Sequence, residues 1–222
     1  GTTIASDAIY LEGITRISIE DIEAAKELGY RIKLLGIATK TASGVESRVH
    51  PAMVPLGSAI AEIGGVTNAV AVEADTVGNL MMSGPGAGGD ATASAVAGDL
   101  CDIAKARPGY QHGPALGQPA QSLLPHERAP MRSHEGGYFL RLTVIDKPGT
   151  MAAIATRMAE QSISLESIVQ RRTEGELDEG QAPIILITHE TTEHAIREAL
   201  KGVREDGCLF GEPQMIRIEN LG

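Results

Sequence analysis

Tryptophan is absent from the 222 residues, and two phenylalanines with four tyrosines bring the aromatic share to only 3%. A surface for stacking bases or sugars therefore has almost nothing to be built from, and the core falls to Ala, Val, Ile, Leu and Met. Basic residues are also scarce: the formal net charge is -10, and a cut after Arg107 leaves -5 on either side. Neither half carries the clustered Lys and Arg that a phosphate backbone requires, so no nucleic-acid partner is expected. Only two cysteines occur, Cys101 and Cys208, with no C-x-x-C spacing. They read as reduced thiols, and no metal site is expected. No stretch approaches the roughly 20 apolar residues of a membrane span, and no basic-then-apolar leader opens the chain, so the expectation is a cytoplasmic protein with no membrane contact. Histidines 50, 112, 126, 134, 189 and 194 are scattered, without an H-E-x-x-H pair or a nucleophile elbow. His50, before Pro51, reads as a surface or capping residue.

What the chain does contain is a break. Five of its eleven prolines, Pro108, Pro114, Pro119, Pro125 and Pro130, fall between Ala106 and Ser133. At that spacing they interrupt helix and ladder alike, so 108–133 reads as an extended linker between a unit at 1–107 and a unit at 134–222. In the first, Ser18 with Asp21 reads as a helix start that runs to Gly29, followed by a strand from Tyr30 to about Ala38. A weaker strand is expected at 45–49, and a helix opening at Pro55 with Leu56, Ala59, Ile60 and Ile63 on one face. Val66–Glu73 and Val77–Ser83 read as a hairpin, and Asp90 as the cap of a helix carrying Val96, Leu100 and Ile103. The hairpin is apolar on both faces, which points to two-fold pairing of copies. The second unit reads strand, helix, strand, strand, helix, strand in about 85 residues, a ferredoxin-like βαββαβ order. The fold class is thus α+β, a mixed-sheet unit followed by a ferredoxin-like one. The acidic run at 174–180 reads as a solvated hairpin tip.

The segment Ser83-Gly84-Pro85-Gly86-Ala87-Gly88-Gly89-Asp90 sits between a strand and a helix, and Gly84, Gly86 and Gly89 satisfy G-x-G-x-x-G. Glycines let a backbone approach an anion, and the following helix start supplies N–H groups and the positive dipole end. A dinucleotide fingerprint also needs an acidic residue about 20 positions on, where this chain has its prolines. The loop is then either a ligand-facing backbone loop serving a site built elsewhere or a structural tight turn.

Several strings taken together resemble a known family. Leu11-Glu12-Gly13-Ile14, Leu28 to Gly36, Val49-His50-Pro51, Asn68-Ala69-Val70, Gly84-Pro85-Gly86-Ala87-Gly88, Thr92 to Val96 and Gly98-Asp99-Leu100 are similar to the substrate-domain half of bacterial homoserine dehydrogenases. The second unit, with Leu140 to Gly149, Ile154-Ala155 and Ile163 to Gln170, resembles the amino-acid-sensing ACT domain. The resemblance implies NAD(P)-dependent interconversion of L-homoserine and L-aspartate 4-semialdehyde on the route to threonine and methionine, under feedback regulation. It implies that Gly84, Gly86, Ala87 and Gly88 approach NADP or NAD, and that Asp146, Pro148, Gly149, Ile163 and Ser164 hold an effector amino acid, threonine first. The family's catalytic carboxylates and lysine have no match here and are expected upstream of Gly1, together with a nucleotide-binding domain, so this chain alone is expected to be inactive. A homo-oligomer, at least a dimer, is expected. The competing expectation is a stand-alone amino-acid-binding and dimerisation module without catalysis.

Overall fold

The computed structural model describes residue 3 and residues 6–41, 44–105, 122–125, 135–170 and 180–220. The greater part of the proline run and all but the last residue of the acidic run at 174–180 lie outside the described residues. Two compact units are present, one drawn from 7–56 with 128–220 and the other from 57–127 with the chain's first and last residues.

The larger unit begins with strand β1 (Tyr10–Leu11) and helix α1 (Ile19–Glu27). Ser18 and Asp21 close a capping box around the first turn of α1, as the spacing predicts. Asp21 is fully buried. Its carboxylate also accepts from Arg141 on the following domain's first strand, at 3.1 Å from Nη2, so the cap does double duty as an ion pair. Strands β2 (Tyr30–Thr41) and β3 (Gly44–Pro55) form a long antiparallel ribbon. β3 is longer than the expected 45–49 because it continues through Pro51. A proline is tolerated there since it falls between two partners on the outer side of β3: β1 pairs at Arg48 and Val49, and the last strand of the chain pairs at Ala52 and Met53.

The remainder of this unit is β6 (Glu135–Ile145), α3 (Thr150–Glu160), β7 (Leu165–Gln170), β8 (Gln181–Thr188), the short β9 (Thr191–Thr192), α4 (Glu193–Glu205) and β10 (Leu209–Ile218). The sheet order β10-β6-β8-β7 is fourth, first, third, second, the ferredoxin-like arrangement. Its sheet does not stop there. β10 pairs in parallel with β3, through Arg217 to Ala52 and Ile218 to Met53, and one sheet of eight strands results.

Both faces of that sheet are covered. Tyr138, Leu140, Leu142, Val144, Ile184 and Leu186 pack against Ile154, Met158, Ile196 and Val203 of α3 and α4. The alternate residues Phe139, Ile185, Ile187, Ile216 and Ile218 pack against Ala24 and Ala25 of α1 and Met53 of β3. This is why β8 reads as the unbroken apolar run Ile184-Ile185-Leu186-Ile187 and not as an alternation: a strand buried on both sides needs apolar groups on both.

The smaller unit holds the hairpin β4 (Thr67–Ala74) and β5 (Gly78–Pro85), then helix α2 (Gly89–Lys105). The hairpin forms as expected, turning at a Gly78 with φ of +71°. The helix expected from Pro55 does not form: residues 56–62 are a series of turns, entered through Gly57 at φ +89° and left through Gly64 and Gly65. Nor does Asp90 cap α2. It lies inside the first turn, the helix having begun at Gly89. No residue of α2 is buried, and Val70, Leu80 and Met82 of the hairpin are half exposed or more. Among the described residues no helix is long and apolar enough to cross a membrane.

Candidate functional sites

Two loops carry the residues singled out by sequence, one in each unit. The first is the glycine loop. β5 ends at Pro85, Gly86 donates its N–H to the carbonyl of Val66 at 2.7 Å, and Gly88 adopts φ +126°, a conformation that favours glycine. The carbonyl of Gly88 then accepts the N–H of Thr92 at 3.0 Å as α2 starts. From Pro85 to Asp90 the loop is exposed. A Cβ added at Gly84, Gly88 or Gly89 would meet nothing within 4 Å. The backbone here is thus open to an approaching group, and the first N–H groups of a helix of 17 residues lie beside it.

The second loop joins β6 to α3. Asp146 donates its N–H to the carbonyl of Gly180 at 2.8 Å, and Asp146, Lys147, Pro148 and Gly149 are all exposed. Gly149 is the N-cap of α3 with φ of 95°, and no side chain caps the helix. Thr150, the next residue, is 4% exposed, and its hydroxyl is the buried side-chain polar atom with no hydrogen-bond partner among the described residues. An unsatisfied buried hydroxyl costs about 1–3 kcal/mol, and this one lies beside a helix start that no side chain caps. Sequence reasoning stopped at Gly149. The one signal available was a threonine where a helix start tolerates many residues.

Asp146, Pro148 and Gly149 are brought together with Thr150, but Ile163 and Ser164 are not. Ile145 pairs with Gln181 at one end of β8, whereas Leu165 pairs with Thr188 at the other. The eleven residues of α3 span the same distance, about 16 Å at 1.5 Å per residue. Within one copy the two halves of the sequence-predicted effector site stand at opposite ends of the helix. Ile163 is buried in the core behind α3, and Ser164 is exposed and its carbonyl accepts the N–H of His189 at 2.9 Å.

The larger unit also holds two buried ion clusters that sequence reasoning missed. Contrary to the surface or capping role expected of it, His50 is fully buried. On β3, Glu46, Arg48 and His50 share one face, and the Arg48 guanidinium donates to Glu46 at 2.6 Å, to Glu219 at 2.9 Å and to Nε2 of His50 at 3.1 Å. Accepting that bond leaves the His50 proton on Nδ1, 3.0 Å from the carbonyl of Pro51. The second cluster centres on Arg217 of β10, 1% exposed, which donates to Glu193 at 2.7 and 3.1 Å and to Glu12 at 3.0 Å. Its guanidinium lies 5.3 Å from the Tyr10 ring centroid. Burial pushes the Tyr138 hydroxyl well above the usual phenol range, with the Glu193 carboxylate adding to it. No group of three or more His, Cys, Asp or Glu side chains suited to a metal occurs among the described residues.

Comparison with known proteins gives one answer. The family model for homoserine dehydrogenase matches residues 1–101, and that for the ACT domain matches 138–205. A homoserine dehydrogenase of Neisseria gonorrhoeae is 40% identical and one of Pseudomonas aeruginosa 39%, each alignment covering 100% of this chain and 51% of the relative. The chain thus spans about half the length of the curated relatives it matches. The crystal structure of a homoserine dehydrogenase from Thiobacillus denitrificans superposes with a TM-score of 0.84 at 38% identity, over 100% of this chain and 50% of that one.

Proposed function

We propose, for a chain that belongs to the homoserine dehydrogenase family, that it serves the NAD(P)-dependent interconversion of L-homoserine and L-aspartate 4-semialdehyde and regulates it through its ACT domain. The observation that carries this reading is the identity of about two residues in five sustained over the whole chain. When bound, the nicotinamide cofactor supplies or accepts the hydride. The residues present fit such a group: Gly84, Gly86, Ala87 and Gly88 offer exposed backbone, and the open space at Gly84 and Gly88 would be filled by any side chain. Backbone N–H groups there would orient the cofactor and help exclude water from it. Substrate carboxylates and the proton-transferring lysine are assigned by family resemblance to sequence outside these 222 residues. The half-exposed apolar hairpin supports a homo-oligomer of at least two copies, and the working compartment is the cytoplasm.

The test is kinetic. The full-length dehydrogenase should oxidise L-homoserine with NAD(P), and the 222-residue chain produced alone should show no turnover, because hydride transfer needs a dinucleotide held in register with substrate. Turnover by the purified short chain would overturn the assignment of catalytic groups.

The regulatory half of the proposal centres on Asp146 to Thr150, with threonine the first candidate effector; its ammonium and carboxylate suit an exposed carboxylate and an uncapped helix start. Ile163 and Ser164 would join that site only from another copy. Thr150→Val is expected to stabilise the ligand-free chain by about 1 kcal/mol, since it removes an unsatisfied buried hydroxyl at nearly constant volume. The same change should abolish the rise in melting temperature that millimolar threonine produces in the parent. A variant that is destabilised, or that still responds to the amino acid, would remove Thr150 from the site.

A further inference from the structure

The glycines of the exposed loop are there for different reasons. Gly88 is required by its own backbone conformation. Gly86 has no positive φ, yet it alone in the loop would set a side chain against a neighbour: a Cβ built on it would fall on the carboxamide of the exposed Asn68, 2.7 Å from Oδ1 and nearer still to Cγ and Nδ2, so that this amide would have to turn away. Those separations lie far inside van der Waals contact, about 3.5–4.0 Å for carbon pairs. Asn68 stands on β4 in register with Gly84, and the N–H of Gly86 is already tied to Val66 two residues before it. The Gly86 peptide is therefore held to the entry of β4 through its N–H, and the Asn68 amide lies against its Cα.

We propose that Asn68 is a positioning residue for the glycine loop, its carboxamide setting where the Gly86 peptide lies and so where the N–H groups from Ala87 into α2 point. The proposal rests on the cofactor-facing reading of the loop. Asparagine suits the task because its amide is short, planar and uncharged. Alanine would leave a gap into which the loop can settle, and a longer side chain would push the loop outward.

In the full-length dehydrogenase, Asn68→Ala, Gly86→Ala and the double variant are compared by cofactor KM, kcat and melting midpoint. Asn68→Ala is expected to raise cofactor KM about threefold with kcat held within about twofold, a split that a merely structural role would not produce. Gly86→Ala alone should raise it by about tenfold or more, and the double variant should return to the level of Asn68→Ala, since the new methyl then occupies the vacated space. A double variant as impaired as Gly86→Ala overturns the proposal, because the glycine would then be needed for something other than Asn68. If every variant keeps the parental cofactor KM while the melting midpoint falls in Gly86→Ala and recovers in the double, the packing stands but the loop does not serve the cofactor. That outcome overturns the functional reading, and the positioning role falls with it.

Discussion

Arg217→Met is expected to destabilise the chain by roughly 3–5 kcal/mol at neutral pH, the range for removing one partner of a buried ion pair. The guanidinium is 1% exposed and the Glu193 side chain 10%, so neither charge can be returned to water without opening the sheet. Methionine fills the volume but leaves Glu193 with Arg197 alone, at 2.6 Å, and Glu12 with the Tyr10 hydroxyl, at 3.0 Å. The effect should depend on pH in a definite direction. Burial alone would raise the Glu193 carboxyl, but the charges and hydrogen bonds of Arg217 and Arg197 outweigh it and hold the group below the usual carboxylate range. A depressed folded-state pKa contributes stability above the unfolded value, near 4.3, and that contribution is lost as pH falls through the folded value. Urea unfolding of parent and variant should therefore differ most near pH 7, with the difference shrinking as the pH falls below the unfolded value of about 4.3. A loss under about 1 kcal/mol at pH 7 would show that water or a rearranged partner reaches Glu193.

The ACT segment produced on its own, starting at Glu135, is expected not to reach a stable monomeric fold. Its βαββαβ order is complete, and one face of its sheet has both helices. The other face has none of its own. Phe139, Ile185, Ile187, Ile216 and Ile218 are each at most 6% exposed only because α1, β2 and β3 lie over them. Each such side chain is worth about 1.5–3 kcal/mol when fully buried, an upper estimate for a realistic unfolded state. Removing the cover also strips β10 of its parallel partner and frees an apolar edge for pairing with other copies. Size exclusion and dye binding should report oligomers or a loosely packed state, and restoring residues 7–56 on the same chain should restore a cooperative transition. A sharply melting monomer without those residues would show that the sheet's second face tolerates water.

The same observation joins the two matched segments of the chain in one sheet. β10, the last strand of the ACT domain, and β3, from the segment matched to the dehydrogenase model, are neighbours in one sheet. Both buried ion clusters straddle that junction, Arg48 reaching Glu219 and Arg217 reaching Glu12. The proposed effector loop at Asp146–Thr150 therefore belongs to the same unit and the same sheet system as β3.

The sequence by itself determined the elements whose causes are local. Ser18 and Asp21 announce α1 because a cap needs only the next turn. The hairpin at 75–78 declares itself by turn chemistry between two apolar runs, and Tyr138, Leu140, Leu142 and Val144 declare β6 by period two. The glycine loop between strand and helix was legible for the same reason, and so was the family. Two local inferences failed where tertiary context overrode them: the apolar spacing after Pro55 matches a helix, yet Gly57 and Gly64–Gly65 turn the chain instead, and Gly89 takes the helix start from Asp90. Only the tertiary structure decided what His50, Arg48 and Arg217 do. A charged residue is the same letter whether solvated or buried, and the partners that settle the matter are remote, Glu219 lying 171 positions from Arg48 and Glu12 lying 205 from Arg217. The pairing of β3 with β10 was hidden likewise, since a parallel register between chain segments so far apart leaves no mark on the spacing within either. Its one trace was the run Ile184 to Ile187, apolar on both faces, whose second face only the assembled sheet could explain.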